Sequence, residues 1–327
     1  LKAFVHANGE LKYTDIQEPV ANKGEVIVSL KTAGVNRRDT MIPTRRGDVE
    51  ESLILGSDGA GVIESLGEGV TGWNVGDEVI INPALRWYEE SDAPSKTFDI
   101  LGMPDNGTFA EKIAISAEQL EEKPKYLSWN EAATVALAGL TGYRALVTKG
   151  QIQKDQTVFI PGAGSGVATF LIQFAKKSGA RVIVTSRSEL KRQQAIDLGA
   201  DVALDTNSDW PAELKNECVD LVIESVGRAT FNRSLEVLKQ GGRIVVFGAT
   251  TEDTVELNLR EFFYGQYTLL GTTMGSREEL RDMLSFITEH EIHPVIDSIV
   301  PLEKATEAFA KLGESVQFGK IVLQISQ

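Results

Sequence analysis

The sequence predicts an α/β protein in two parts, a doubly wound parallel sheet joined to a mostly antiparallel β domain. Three observations carry that expectation. Residues 157–187 read as a buried strand, a glycine-rich turn, an amphipathic helix and a second buried strand. Downstream of them, short apolar runs alternate with helical stretches, the pattern of parallel βα units. The first ~120 residues instead run as strands and turns with dense glycine. The chain's 327 residues suffice for two domains.

The central element comes first. Thr157–Pro161 is rich in β-branched and aromatic residues, as a central parallel strand should be. Gly162, Gly164 and Gly166 follow, with only Ala163 and Ser165 between them, so backbone can approach a ligand closely. Val167, Phe170, Leu171 and Phe174 then fall at i, i+3, i+4 and i+7 on one helical face, with Gly179 placed to end the helix. A helix N-terminus aimed at such a turn suits a pyrophosphate, which makes Gly164, Ser165, Gly166 and Val167 the expected phosphate contacts. No strict G-x-G-x-x-G is present: one starting at Gly162 fails at Val167, and one starting at Gly164 fails at Thr169. A tight strand-to-helix turn without a ligand is the bland alternative.

The second strand, Arg181–Thr185, leads to Ser186, where NAD sites place an acidic residue for the adenosine ribose. Arg187 and Lys191 follow, so a 2′-phosphate meets cations and no carboxylate at that position, which favours NADP(H) over NAD(H). Glu189 works against this charge logic. Ser186-x-x-Glu189 also reads as a capping box opening the next helix.

The sheet is expected to continue through Val202–Leu204, Val219–Glu224, Arg243–Phe247 and Thr268–Leu270. Helices at Trp210–Asn216 and Arg228–Lys239 separate most of these runs, with Gly199 and the pair Gly241–Gly242 as stops ahead of strands. In the first part, Lys2–His6, Leu11–Ile16, Glu25–Ala33, Gly61–Ser65, Glu78–Ile81 and Thr108–Ile115 are strand-like. Residues 83–107 form a long polar segment of the kind that is functional or flexible. Helices are expected at Asn130–Ala138, at Gly142–Lys149 and, capped by Ser276, at Arg277–His290; a strand Lys320–Ile325 closes the chain. The expected division is 1–124 with 276–327, and 125–275.

Net charge is −14, from 33 basic and 47 acidic side chains. Such a chain is a poor binder of nucleic acid or anionic membranes without a local basic patch, and none stands out. No run of ~18 apolar residues suggests a membrane span, and Leu1–His6 reads as a strand rather than a signal peptide. The one cysteine, Cys218, excludes an intrachain disulfide and reads as a core or edge thiol; the cytoplasm is the expected compartment.

Several ordered motifs resemble the medium-chain dehydrogenase/reductase superfamily over essentially the whole length. They are Ala33-Gly34-Val35-Asn36-Arg37-Arg38-Asp39, Leu55-Gly56-Ser57-Asp58-Gly59-Ala60-Gly61, Leu66-Gly67-Glu68-Gly69-Val70, Val75-Gly76-Asp77-Glu78-Val79, Ala138-Gly139-Leu140-Thr141-Gly142-Tyr143, the glycine turn, Gly271-Thr272-Thr273-Met274-Gly275 and Phe318-Gly319-Lys320-Ile321-Val322-Leu323. The resemblance implies a GroES-like catalytic domain, then a Rossmann domain, with the C-terminal segment returning to the first. It also implies a homodimer through the Rossmann sheet edge. Quinone oxidoreductase-like members carry small residues three apart in the turn, matched here by Gly162, Ser165 and Ala168. By the same resemblance Thr141 lies beside the nicotinamide ribose, Phe247-Gly248 and Thr272-Thr273-Met274 flank nicotinamide, and Val226-Gly227 lie on the adenine side. Core packing is the bland account of Phe247 and Met274.

Zinc-dependent alcohol dehydrogenases of that superfamily place a Cys after G-V and a His-Glu pair after L-G. Asn36 and Ser57-Asp58 stand there in this chain, and the 83–107 segment has no cysteines for a structural zinc. Zinc prefers thiolate and imidazole ligands, so a zinc-independent quinone oxidoreductase-like or enone reductase-like member is expected. Without a metal, hydrogen-bond donors or the cofactor's own hydroxyls must hold the charge developing on a substrate oxygen, which points to activated acceptors: quinones or α,β-unsaturated carbonyls. Asn36 is the expected donor, against a turn Asn bonding its own backbone. Tyr88, in the long loop, would line the pocket or donate a proton. Arg38, Arg45 and Arg46 could orient a substrate oxygen, but a surface place is expected for each, and Asp39 is expected to pair with one of them rather than act as an acid. Phe262, Phe263 and Tyr264 suit a substrate pocket or a dimer surface. The rival readings are an alcohol dehydrogenase with a divergent zinc site and a non-catalytic NADPH-binding sensor or structural protein.

Overall fold

A computed structural model describes residues 1–326, in two compact units: Leu1–Leu140 with Gly275–Gln327, and Thr141–Met274. Residues 125–140, expected with the second domain, belong to the first unit; Thr32 Oγ1 donates to the Trp129 carbonyl at 2.7 Å and Leu137 N–H to Asp58 Oδ1 at 2.9 Å.

The first unit begins with β1 (Lys2–Ala7), β2 (Glu10–Asp15), β3 (Glu25–Val35), α1 (Arg37–Arg46), β4 (Leu53–Ile54), β5 (Asp58–Leu66) and β6 (Glu78–Ile81). Then come β7 (Ala84–Leu85), β8 (Asp99–Ile100), β9 (Lys112–Ser116), β10 (Leu120–Glu122), α2 (Trp129–Ala132) and α3 (Ala136–Tyr143). Its main sheet has the order β10-β6-β5-β3 and continues through the two last strands of the chain; β1 forms a smaller sheet with β2 and β4. The long strand β3 is the hinge of this arrangement. Its first half pairs antiparallel with β9, and its second half with the final strand. Helix α1 has no counterpart in the sequence expectation, because Pro43 interrupts it and only Asp39 and Ile42 are buried.

The second unit follows as β11 (Thr157–Pro161), α4 (Gly166–Lys177), β12 (Arg181–Ser186), α5 (Glu189–Leu198), β13 (Val202–Asp205), α6 (Trp210–Glu213) and β14 (Val219–Glu224). It continues with α7 (Phe231–Val237), β15 (Leu238–Val246), α8 (Leu259–Tyr264) and β16 (Thr268–Gly271). All six strands are parallel, in the order β13-β12-β11-β14-β15-β16. Strand order therefore reverses between β11 and β14, and ligands of such sheets bind beyond the strand C-termini at that point. The fully buried Phe159, Ile183, Trp210, Val222 and Ile244 fill the core, each worth roughly 1.5–3 kcal/mol of apolar burial. Past a π-helical turn at Arg144–Lys149 the sheet begins; past it, the first unit is completed by α9 (Arg277–Glu289), β17 (Ile296–Pro301), α10 (Ala305–Glu314) and β18 (Lys320–Gln324). The α/β class and both sheet types match the sequence expectation.

Four local readings need correction. The expected box at Ser186 does not form: Ser188 caps α5, accepting from Lys191 N–H at 3.3 Å, because Ser186 is still in β12. Gly241–Gly242 lie inside β15 rather than at a helix stop, since α7 already ends at Val237. Cys218 is exposed just ahead of β14, so of its two expected placements, core or edge, the core one is wrong. Arg38 is no surface side chain; it donates to Ser57 Oγ at 2.7 Å and to the Leu101 carbonyl at 2.8 Å.

Candidate active site

In the second unit the residues expected to hold a nucleotide share one edge, the C-terminal ends of the parallel strands. Gly162, at φ 80°, turns the chain out of β11, and Gly162 N–H and Ala163 N–H are spent on the Thr185 carbonyl, at 3.2 and 2.9 Å. Ser165 caps α4, its Oγ accepting from Ala168 N–H at 3.1 Å. Gly166 and Val167 occupy the first helical positions, whose N–H groups have no partner within a helix. Gly164 precedes that cap, so the four predicted turn residues make one open helix N-terminus.

The neighbouring strand ends are held by the chain itself. Glu224 is buried at the end of β14, and its Oε1 accepts from Val226 N–H at 2.9 Å, Gly227 N–H at 3.1 Å and Thr230 Oγ1 at 2.6 Å. Phe247 N–H reaches the Glu224 carbonyl at 3.1 Å, with Gly248 next to it. Thr141 Oγ1 contacts Met274 Sδ at 3.8 Å, both residues buried. Thr272 Oγ1 is buried with no hydrogen-bond partner among the described residues, an orphan hydroxyl suited to a ligand. Ser186 ends β12, and Arg187 beside it is exposed. Arg192, which sequence reasoning passed over, donates to the Ser186 carbonyl at 2.9 Å and lies 3.6 Å from Asp205, the β13 residue in register with Ser186. A carboxylate therefore stands one strand away from Ser186, already faced by an arginine.

In the first unit, β-sheet register builds a buried polar cluster around Asn36. Asn36 follows β3 directly and precedes α1. On one side β5 begins at Asp58, paired with Gly34; on the other β18 begins at Lys320, next to the Ile321–Val35 pair. Lys320 Nζ donates to Asn36 Oδ1 at 2.6 Å and to the Val35 carbonyl at 2.8 Å, while Asn36 Nδ2 donates to Asp58 Oδ2 at 2.8 Å. Asp39 Oδ2 accepts from Asn36 N–H at 2.7 Å, and Ser57 Oγ donates to the Leu101 carbonyl at 2.6 Å. Asn36, Asp39, Ser57, Asp58 and Lys320 are all buried.

Burial sets the titration of this cluster. It pushes Asp39 up to about 6, against the charges of Arg38 and Lys320. It raises Asp58 as well, opposed by Lys320 and by the hydrogen bonds from Asn36 and Leu137 N–H. It lowers Lys320, opposed by Asp58 and Asp39. Asn36 is the N-cap residue of α1, with Asp39 returning to its N–H, but its carboxamide is held by Lys320 and Asp58 and not by its own backbone alone. Tyr88 is not drawn into the cluster; it is 38% exposed, and no hydrogen bond joins it to a described residue.

Comparison with known proteins fits both halves of this picture. A family model described as alcohol dehydrogenase GroES-like domain matches residues 22–125, and one described as zinc-binding dehydrogenase matches 166–289. A zinc-type alcohol dehydrogenase-like protein of Schizosaccharomyces pombe is 34% identical, covering 93% of this chain and 92% of its own. The chain belongs to the medium-chain dehydrogenase/reductase superfamily. Within that superfamily it is also 30% identical to a crotonyl-CoA reductase of Streptomyces avermitilis, over 82% of this chain and 67% of that one. A solved structure of an NAD-dependent alcohol dehydrogenase superposes with a TM-score of 0.92 at 34% identity, covering both chains fully.

Zinc stands in the name of the S. pombe relative and of one matching family, and the side chains around Asn36 decide whether this chain can hold it. Asn36 presents an amide already held between a cation and a carboxylate; Ser57 presents a hydroxyl held by Arg38 and Leu101; both Asp58 oxygens accept hydrogen bonds. Two cationic side chains lie in the cluster, where a zinc site needs thiolate, imidazole or carboxylate. These residues do not fit zinc. Among the described residues no group of three or more His, Cys, Asp or Glu side chains is arranged to hold a metal, and no helix is long and apolar enough to cross a membrane.

Proposed function

We propose that this protein is an NADPH-dependent, zinc-independent reductase of activated carbonyl compounds, with α,β-unsaturated aldehydes, ketones and acyl thioesters as the first substrate class and quinones as the second. The observation that carries the reading is the clamped carboxamide of Asn36, a fixed donor at the position of a metal thiolate in zinc-dependent members. The crotonyl-CoA reductase relative supports the unsaturated-carbonyl class.

When bound, the reduced nicotinamide supplies the hydride. The open N-terminus of α4, at Gly164, Ser165, Gly166 and Val167, holds the pyrophosphate. Ser186, Arg187 and Lys191 receive the 2′-phosphate, with Arg192 fixing the Ser186 backbone. Thr141, Val226, Phe247, Gly248, Thr272 and Met274 line the remainder of the cofactor. Asn36 Nδ2 holds the substrate oxygen as charge develops on it, and a conjugated acceptor spreads that charge, so a hydrogen-bond donor suffices. Solvent returns the proton, to the α-carbon of an unsaturated carbonyl or to an oxygen of a quinone; Tyr88, exposed in its loop, is the side-chain candidate for that step. The exposed edge strand β16, with Phe263 and Tyr264 exposed on α8 beside it, is the surface for a homodimer.

The names of the S. pombe relative and of the solved structure favour a second reading, oxidation of simple alcohols with NAD. One experiment separates the two. NADPH and NADH are titrated, and the tighter one is then used against enals, enones, enoyl thioesters, quinones and primary and secondary alcohols. Stoichiometric NADPH loss with conjugated acceptors, reduced about 10²-fold or more in kcat by Asn36→Ala, is the expected result. Turnover of simple alcohols with one tightly held zinc per chain would establish the second reading instead.

A further inference from the structure

Both ends of the Asn36 carboxamide are committed. Lys320 Nζ sits on Oδ1 at 2.6 Å, and Asp58 Oδ2 takes one hydrogen of Nδ2 at 2.8 Å. An ammonium has donors only and a carboxylate anion acceptors only, so the amide has one orientation; a flip would set donor against donor at Lys320. The Val35 carbonyl, 2.8 Å from Nζ, anchors the ammonium from behind. One Nδ2 hydrogen remains, since Asp58 is the only partner of Nδ2 among the described residues.

That arrangement is expensive as pure architecture. Taking an ammonium out of water costs several kcal/mol, and replacing buried charges by apolar side chains of similar volume is often neutral or stabilising. Lys320 opens a strand whose next three residues, Ile321, Val322 and Leu323, are apolar and buried; a methionine would suit the same position. What an apolar residue cannot do is place positive charge on the Asn36 oxygen. An amide is conjugated, so a cation at its oxygen draws density from nitrogen and strengthens the remaining N–H as a donor, as linked hydrogen bonds polarise one another.

We propose that Lys320 is a positioning residue of the reductase site, which locks the Asn36 carboxamide and transmits its charge through that amide to the substrate oxygen without touching the substrate. This rests on the reading of Asn36 given above. The charged groups facing Lys320 are Asp58 at the head of β5 and Asp39 on α1, with Arg38 of α1 acting on both carboxylates.

A double-mutant cycle tests it, on the intact chain with an enone or enoyl thioester. Lys320→Met, Asn36→Ala and the double variant are compared in kcat, KM, NADPH affinity by fluorescence titration, and melting temperature. Lys320→Met is expected to lower kcat about tenfold or more, with NADPH affinity within about twofold, and the double variant to be no slower than Asn36→Ala alone. Lys320→Arg, which keeps a charged donor, is expected to restore most of kcat. Unchanged kcat in Lys320→Met, or losses that multiply in the double variant, overturns the inference while leaving Asn36 as the donor. Intact kcat in Asn36→Ala overturns the reading of Asn36 and this inference together. Should Lys320→Met fail to fold, Lys320→Gln and Lys320→Arg carry the test: a slow Gln variant beside a fast Arg variant supports the inference, and equal rates overturn it.

Discussion

Replacing Asp39 by asparagine should change how stability depends on pH. Asp39 is fully buried on α1, accepts from Asn36 N–H at 2.7 Å, and has its carboxyl pushed up to about 6 from 3.8, by burial first. Below 3.8 both folded and unfolded chains hold the proton, and Asp39 resembles the amide that would replace it. Between 3.8 and 6 the folded chain keeps a proton that the unfolded chain has released, so stability falls as pH rises. Above 6 the loss is complete, at about 3 kcal/mol from 1.36 kcal/mol per pH unit. The Asp39→Asn side chain retains an acceptor for Asn36 N–H and does not titrate. Relative to the natural protein, the variant should therefore gain about 3 kcal/mol between pH 3.5 and pH 7.5. Urea denaturation at the two pH values, followed by the fluorescence of Trp73, Trp87 and Trp129 in the same unit, measures that difference. A stability difference independent of pH, or one moving the opposite way, would refute the assignment of a buried carboxyl that ionises less readily in the folded chain than in the unfolded one.

Other perturbations have equally definite outcomes. Arg187→Ala and Lys191→Ala should each weaken NADPH binding about tenfold or more and leave NADH unaffected, as losses of charge-assisted contacts to a 2′-phosphate; an unchanged NADPH/NADH affinity ratio removes the 2′-phosphate assignment. Gly61→Ala would set a Cβ 2.1 Å from the Ser29 carbonyl oxygen in the β3–β5 pair, so soluble yield should collapse, or melting temperature fall by an amount worth roughly 3 kcal/mol or more. Ser165→Ala removes the cap on Ala168 N–H and should cost about 1 kcal/mol in the second unit's thermal transition; an unchanged melt would show the cap to be idle.

Local pattern made most of the second unit legible. The β11-α4-β12 element is continuous in sequence, its apolar residues fall at helical spacing, and Ser165 and Ser276 are side chains whose capping role needs only neighbours within three residues. The same locality explains the misreadings. Ser186 and Ser188 both precede a helix, and only the extent of β12, fixed by pairing with β13, decides which one caps. Gly241–Gly242 look like a helix stop until β15 is seen to begin earlier, at Leu238. The Asn36 cluster was half legible. Asn36 and Asp58 stood out by position within motifs, but Lys320 is 284 residues from Asn36. Its one local sign is a charged residue ahead of three apolar ones, Ile321, Val322 and Leu323, which does not name its partner. Register between three strands supplies that information, and no short window of sequence contains it.

The first unit is built from both sides of the second along the chain, since β17 and β18 join β3 only after residues 141–274 have been made. During synthesis, the second half of β3 therefore waits with an open edge while a complete parallel sheet emerges and folds. Lys320, on the strand that closes that edge, is the latest-made member of the Asn36 cluster. Until it arrives, the amide of Asn36 has no cation at its oxygen and no fixed orientation. Completion of the Asn36 cluster is thereby tied to the synthesis of β18: a nascent chain that has not yet made it has the whole parallel sheet and lacks the cation that fixes the Asn36 amide.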